Sequence, residues 1–207
     1  MLIYKKTARN AAVILALFAA AGCSQETTGS PNPDGNTTPP PLSSSGQADS
    51  QVKAPSVATP LNVSKFAQDP CLSLTQTQVQ GFQGSTPGSR ADSDKGVGCF
   101  WNLGANGSAS TTVSFIPKVT NGLTNTYQQN AAKFFEHGYF EPVEVEGYPA
   151  AYNEVVDQRS SGQCSLTVGV SDQSIFTVFI QGRAGTDGCK AALNVGKEVL
   201  HTIQGGQ

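Results

Sequence analysis

The chain has 207 residues, with 13 Lys and Arg against 15 Asp and Glu, a net charge of −2, 14% charged residues and 38% hydrophobic ones. That balance leaves no basic stripe of the kind that holds nucleic acid, so nucleic acid is excluded from the expected partners. Two histidines and five cysteines narrow the side-chain chemistry further.

Lys5, Lys6 and Arg9 stand ahead of the apolar run Ala11–Gly22. A basic head on a short apolar core is an export signal, and the run is too short to span a bilayer as a helix. It closes Ala20-Ala21-Gly22-Cys23, small residues before a cysteine, as in a bacterial lipobox. Small side chains let a peptidase approach the backbone, and the Cys23 thiolate forms a thioether to diacylglycerol. Ala20 stands where lipoboxes usually carry Leu, and the competing reading is an ordinary cleaved signal with a chance cysteine. The expectation is a signal over residues 1–22 and an anchor at Cys23. Acyl chains such as palmitate would then hold the protein on the extracytoplasmic face of the cell membrane. All fifteen acids follow Cys23 and three of the thirteen bases precede it, so the mature chain has ten bases against fifteen acids, a net −5. With no polybasic patch for anionic lipid, attachment rests on the acyl chains.

From Ser24 to Lys65 the chain holds seven of the twelve prolines and few large apolar side chains. Such a segment buries too little surface to offset the entropy of ordering it, so residues 23–65 read as the lipidated cysteine and a tether. Its serines and threonines beside prolines are compositional candidates for sugar attachment. Residues 66–205 have the size of a single domain.

Within that domain, Thr75-Gln-Thr-Gln78 reads as a capping box opening a short helix with Leu74, Val79 and Phe82 on one stripe. A Gly/Ser/Asp loop follows. Val97, Cys99, Trp101 and Leu103 then alternate on a strand, Gly104–Ser108 turns the chain, and Val113 and Phe115 alternate on the next strand. Asn121–Glu136 reads as a helix with Leu123, Tyr127, Ala131 and Phe134 on one face, stopped by Gly138. Val143 and Val145 alternate with Glu144 and Glu146 on a half-exposed strand. Gly147–Pro149 reads as a bend before a strand over Ala150–Val156. Two strands flank the turn Ser171–Ser174. The second, Ile175–Ile180, is apolar on both faces and so belongs at the centre of the sheet. Asp187 caps a last helix with Cys189, Ala192, Leu193, Gly196, Val199, Leu200 and Ile203 on one side. The order predicts an α+β domain, its sheet mostly antiparallel and its helices mainly on one face.

Once Cys23 is set aside, Cys71, Cys99, Cys164 and Cys189 can form two disulfides in three connectivities. Cys71–Cys99 with Cys164–Cys189 is preferred, because each bond would tie a helix start to the nearest strand. A four-cysteine zinc site needs closer pairs than these. No cofactor or metal is expected. His137 and His201 lack a second ligand at helical spacing and a serine elbow, and read as residues near helix ends. No phosphate loop occurs. Glu144 and Glu146, about 7 Å apart along one strand face, together with Glu141, read as a solvated face; the alternative is a carboxylate pair of a cell-wall or glycan hydrolase. Phe100, Phe134, Phe135, Tyr139, Phe140, Tyr148 and Tyr152 exceed the needs of a small core. Of these, Tyr148, Tyr152 and Phe135 are candidate platform residues for a hydrophobic ligand between the layers.

The DPC of Asp69–Cys71 with the leucines after it, GCFW (Gly98–Trp101), VEGYPAAYN (Val145–Asn153), the strand opening at Cys164 and the closing Asp187–Ile203 recur in one order. In that order the chain resembles the actinobacterial cell-envelope lipoproteins that carry domain of unknown function 3558. The resemblance implies an exported, acyl-anchored protein of a Gram-positive actinobacterium, with the four domain cysteines as structural pairs. It supplies no catalytic residue. The expected function is non-enzymatic, the binding of an envelope ligand or a partner protein.

Overall fold

Seven strands make one antiparallel sheet in the computed structural model, which describes residues 52–205. The leader, Cys23 and the tether to residue 51 lie outside the described residues. The strands are β1 (Ser89–Arg90), β2 (Val97–Leu103), β3 (Ala109–Phe115), β4 (Tyr139–Val145), β5 (Tyr148–Glu154), β6 (Gln163–Ser171) and β7 (Ser174–Gln181). They run in the order β1-β2-β3-β7-β6-β5-β4, each pair antiparallel. The helices are α1 (Ser64–Gln68), α2 (Gln76–Gly81), α3 (Thr124–Ala131) and α4 (Gly188–Gly205). The doubly apolar β7 is indeed the central strand, fourth of the seven.

The core forms where α4 lies on β6 and β7. Asp187 caps the helix, its Oδ1 accepting from Lys190 N at 2.9 Å. Ala192, Val195, Val199, Leu200 and Ile203 then bury one stripe against Leu166, Val168, Phe176, Val178 and Ile180. Each fully buried Val, Leu, Ile or Phe contributes about 1.5–3 kcal/mol from removal of apolar surface from water. Gly196 is required by proximity, since a Cβ there would stand 2.9 Å from a Leu166 methyl. Phe66 of α1 and Val79 of α2 complete this side, with Phe66 stacked 6.0 Å from Phe115. Thr75 caps α2 through a reciprocal box with Gln78, whose amide also donates to Glu198 O at 3.0 Å and so joins α2 to α4.

Two disulfides fasten these elements. Cys71, in the turn Pro70–Ser73, joins Cys99 of β2, and Cys164 of β6 joins Cys189 in the first turn of α4. These are the two pairs preferred on sequence grounds.

Four expectations need correction. The folded unit begins before residue 66. Val57 and Leu61 are buried, Leu61 N donates to Val170 O at 2.8 Å, and Val57 N donates to Asp172 Oδ1 at 2.9 Å. Backbone docking onto the end of β6 holds this segment even though its composition is that of a tether. The helix expected over Asn121–Glu136 is only Thr124–Ala131, because Lys133 adopts a left-handed φ of 61° and turns the chain. Ala131 and Phe134 are consequently exposed, and burial falls on Leu123, Thr126 and Phe135. The bend expected at Gly147–Pro149 is a two-residue turn at Glu146 and Gly147, both at positive φ, so Tyr148 and Pro149 belong to β5. Finally, the loop before β2 contributes the short edge strand β1.

Candidate functional site

Strand parity separates the three glutamates. Glu141 pairs with Tyr152 in the register of β4 and β5, and it accepts from Arg159 at 2.7 Å. Glu144, paired with Pro149, points to the opposite face. Glu146 lies in the turn and meets Lys197 of α4 at 3.4 Å. Glu144 and Glu146 therefore do not share a strand face, and the three carboxylates go to three surroundings. Arg159 is the centre of the first. It holds Asp157 at 2.6 Å and lies 4.2 Å over the Tyr139 ring. Hydrogen bonds from the Arg159 guanidinium hold the Asp157 carboxyl below its ordinary range.

The histidines stay on the surface. His137 faces Glu136 at 3.5 Å in the turn before β4, well past the end of α3, so its expected place at a helix end is corrected. His201 lies in α4, 4.0 Å from Glu198. Among the described residues no three His, Cys, Asp or Glu side chains are grouped as a metal site.

Tyr148, Tyr152 and Phe135 do not converge. Tyr148 and Tyr152 share the α4 face of β5. Tyr148 is buried there, its hydroxyl donating to Thr59 O at 3.0 Å. Burial pushes the Tyr152 hydroxyl pKa up, with the carboxylates of Asp187 and Glu141 adding to the effect. Phe135 is on the other face, stacked 6.0 Å from Phe140, which Tyr127 of α3 meets edge-on at 5.0 Å. The aromatic surplus thus serves two small cores, one on each side of the sheet. Tyr139 fills a third role: its hydroxyl accepts from Ser165 N at 3.2 Å and contacts Cys164 Sγ at 3.4 Å.

A recess between the layers does occur, with other residues as its walls. Phe82, Leu103, Ala109, Ile180, Ala191 and Val195 surround a cleft of about 230 Å³ where α2, the β2–β3 turn, β7 and α4 meet. Asn194 is its one polar side chain. The volume lies below the roughly 300 Å³ at which sites for larger ligands begin, and it suits one ring or a short alkyl segment. The sequence signal was faint: Ala109 and Ala191 are small residues on apolar faces whose neighbours are large.

No curated protein and no solved structure matches the chain. A family model does match, over residues 18–202, a span that takes in the whole sheet and both disulfides. On that match the chain belongs to DUF3558, a family described as proteins of unknown function.

Proposed function

We propose that this protein is an acyl-anchored lipoprotein of an actinobacterial cell envelope, held through diacylglyceryl-Cys23, whose extracytoplasmic domain binds a hydrophobic ligand without transforming it. The observation that carries the binding role is the apolar cleft between α4 and the sheet. An apolar cleft with one amide at its wall favours an alkyl or aromatic group and can orient it through a single hydrogen bond. The two disulfides support the compartment, since such bonds persist where the surroundings are oxidising. The junction Gly22-Cys23 behind an apolar run supports the anchor.

The single-ring compound 4-fluorotoluene is the probe for the cleft. The intact protein should bind it saturably, read as a shift of its fluorine resonance, and Ala191→Trp, which fills the slot, should weaken binding about tenfold, or 1.4 kcal/mol, at unchanged unfolding temperature. Ala109→Leu is the second filling variant, should the tryptophan disturb the fold. Absence of saturable binding would defeat the ligand reading. For the anchor, Cys23→Ala should release the protein or leave it uncleaved, and unchanged membrane attachment would defeat the lipoprotein reading.

A further inference from the structure

The sheet has a second face, which the cleft does not use. A Cβ on Gly169 would stand 3.2 Å from Leu123, and Tyr127 and Phe135 meet Phe140, so α3 and the turn after it cover the β4–β5–β6 end of this face. Over β2, β3 and β7 the same face is open, with Asn102 and Gln181 exposed and Phe100, Thr112, Thr177 and Phe179 half-buried.

The chemistry of this open face is uniform. No Asp, Glu, Lys or Arg stands at any outward position of β2, β3, β7 or β6, and most of those positions carry a hydroxyl or an amide. By contrast, the outer strand β4 carries Glu144 on this side of the sheet. Register sets two rings into the neutral field. Phe100 pairs with Thr112, Thr112 with Phe179, and Phe179 with Ser165. The two phenylalanines therefore stand two strand spacings apart, about 10 Å, with a threonine hydroxyl between them. Beyond Phe179 the face runs into a cleft of about 250 Å³ whose walls include Tyr139, Glu154, Gln158 and Gln163, with the Glu154 carboxylate accepting from the Ser165 hydroxyl.

We infer that this open face is a binding surface for a neutral polysaccharide. Flat rings offer their faces to the C–H faces of sugar rings, and hydroxyls and amides exchange hydrogen bonds with sugar hydroxyls without having to desolvate a charge. Charge complementarity selects the class. A surface with no cation, bordered by the single carboxylate of Glu154 and set on a domain with more acids than bases, gives an anionic polymer or an anionic bilayer nothing to pair with. An uncharged hydroxylated chain, laid across the strands from Phe100 to Phe179 and ending in the cleft, meets hydroxyls and amides along its length and a carboxylate acceptor at its end.

Affinity electrophoresis of the full chain through gels holding hydroxyethyl cellulose, dextran or a neutral galactan tests this, with polygalacturonate as the anionic comparison. At least one neutral polymer should retard the protein, and Phe179→Ala and Phe100→Ala should each weaken that retardation roughly tenfold, while Phe179→Tyr keeps it. Thr112→Glu places a charge between the rings and should abolish retardation. Circular dichroism establishes folding, so this variant decides the matter if a phenylalanine variant unfolds. Retardation by none of the neutral polymers overturns the inference. So does retardation that survives in the folded variants, or retardation by polygalacturonate alone. The cleft beneath α4 lies on the other face, so neither result bears on the hydrophobic ligand.

Discussion

Removing the Cys164–Cys189 bond as the pair Cys164→Ala and Cys189→Ala should cost the domain about 3.5 kcal/mol from loop closure alone. The bond closes a loop of sequence separation 25, and without it the unfolded chain recovers the corresponding entropy. Cys164 is fully buried, so the truncated side chain adds a packing loss of about 1 kcal/mol. For a domain of this size each kcal/mol lowers the melting temperature by about 2–4 °C, so the fall should be about 9–18 °C. Differential scanning calorimetry reads that shift, and guanidinium titration reads the free energy. The Cys71–Cys99 bond, with separation 28, supplies an internal comparison: nearly equal loops predict nearly equal losses. Deleting both should remove about 7 kcal/mol from loop closure, with the packing losses at buried Cys99 and Cys164 in addition, within reach of the 5–15 kcal/mol that a whole domain holds. A loss below about 1 kcal/mol for the first pair would refute the loop-entropy reasoning, and so would a several-fold difference between the two pairs.

Three smaller perturbations examine other parts of the account. Gly138→Ala should destabilise by about 3 kcal/mol or more, because its Cβ would be driven into the backbone at Glu154 and Val155; chemical denaturation measures this, and a near-neutral result would mean that the turn before β4 is looser than described. Thr75→Ala should cost about 1 kcal/mol by opening the capping box of α2, again read by denaturation, with Thr75→Ser restoring most of it. Asp157 has its carboxyl held below the ordinary range by Arg159, so its stabilising contribution is complete above about pH 4 and is lost as pH falls through the folded value. Solvent screening keeps that contribution below about 1 kcal/mol, and Asp157→Asn should flatten the stability profile below pH 4 by that amount.

Periodicity carried the elements whose burial is decided locally. Ile175–Ile180 is apolar on both faces because β7 has a layer on each side at its start, α4 beneath and Leu123 nearby above, and that doubling can be read directly from the letters. Thr75 and Gln78 announced the start of α2 for the same reason, since a capping box closes within four residues. What escaped was decided at a distance. Val57 and Leu61 are isolated apolar letters in a proline-rich stretch, and only the carbonyl of Val170 and the carboxylate of Asp172 give their backbone a place to bind. The helix α3 stops short of its apolar pattern because Lys133 takes a conformation that a lysine seldom adopts, which no pattern of apolar residues reveals.

The candidate site was less legible still. Parity alone places Tyr148 and Tyr152 on one face of β5, but Phe135 belongs to a turn whose side of the sheet is set by α3. The assignment of Glu144 and Glu146 to one face failed for a related reason: the strand ends at Val145, and a Glu-Gly pair makes the turn where Asn-Gly would have been the stronger signal. The cleft draws its walls from α2, β2, β3, β7 and α4, five elements far apart in the chain, and its space exists because Ala109 and Ala191 are small where they meet larger neighbours. The neutrality of the opposite face, by contrast, was present in the letters of β2, β3, β6 and β7 and needed only the sheet order to become a surface.

The central claim is that the domain holds a hydrophobic ligand in the cleft under α4. Native mass spectrometry of the protein exported from an actinobacterial host, beside the same sample denatured, tests it most directly. The account predicts an added mass that disappears on denaturation and is missing from Ala191→Trp. A native spectrum with no added mass, or an adduct that the filled cleft retains, would contradict it.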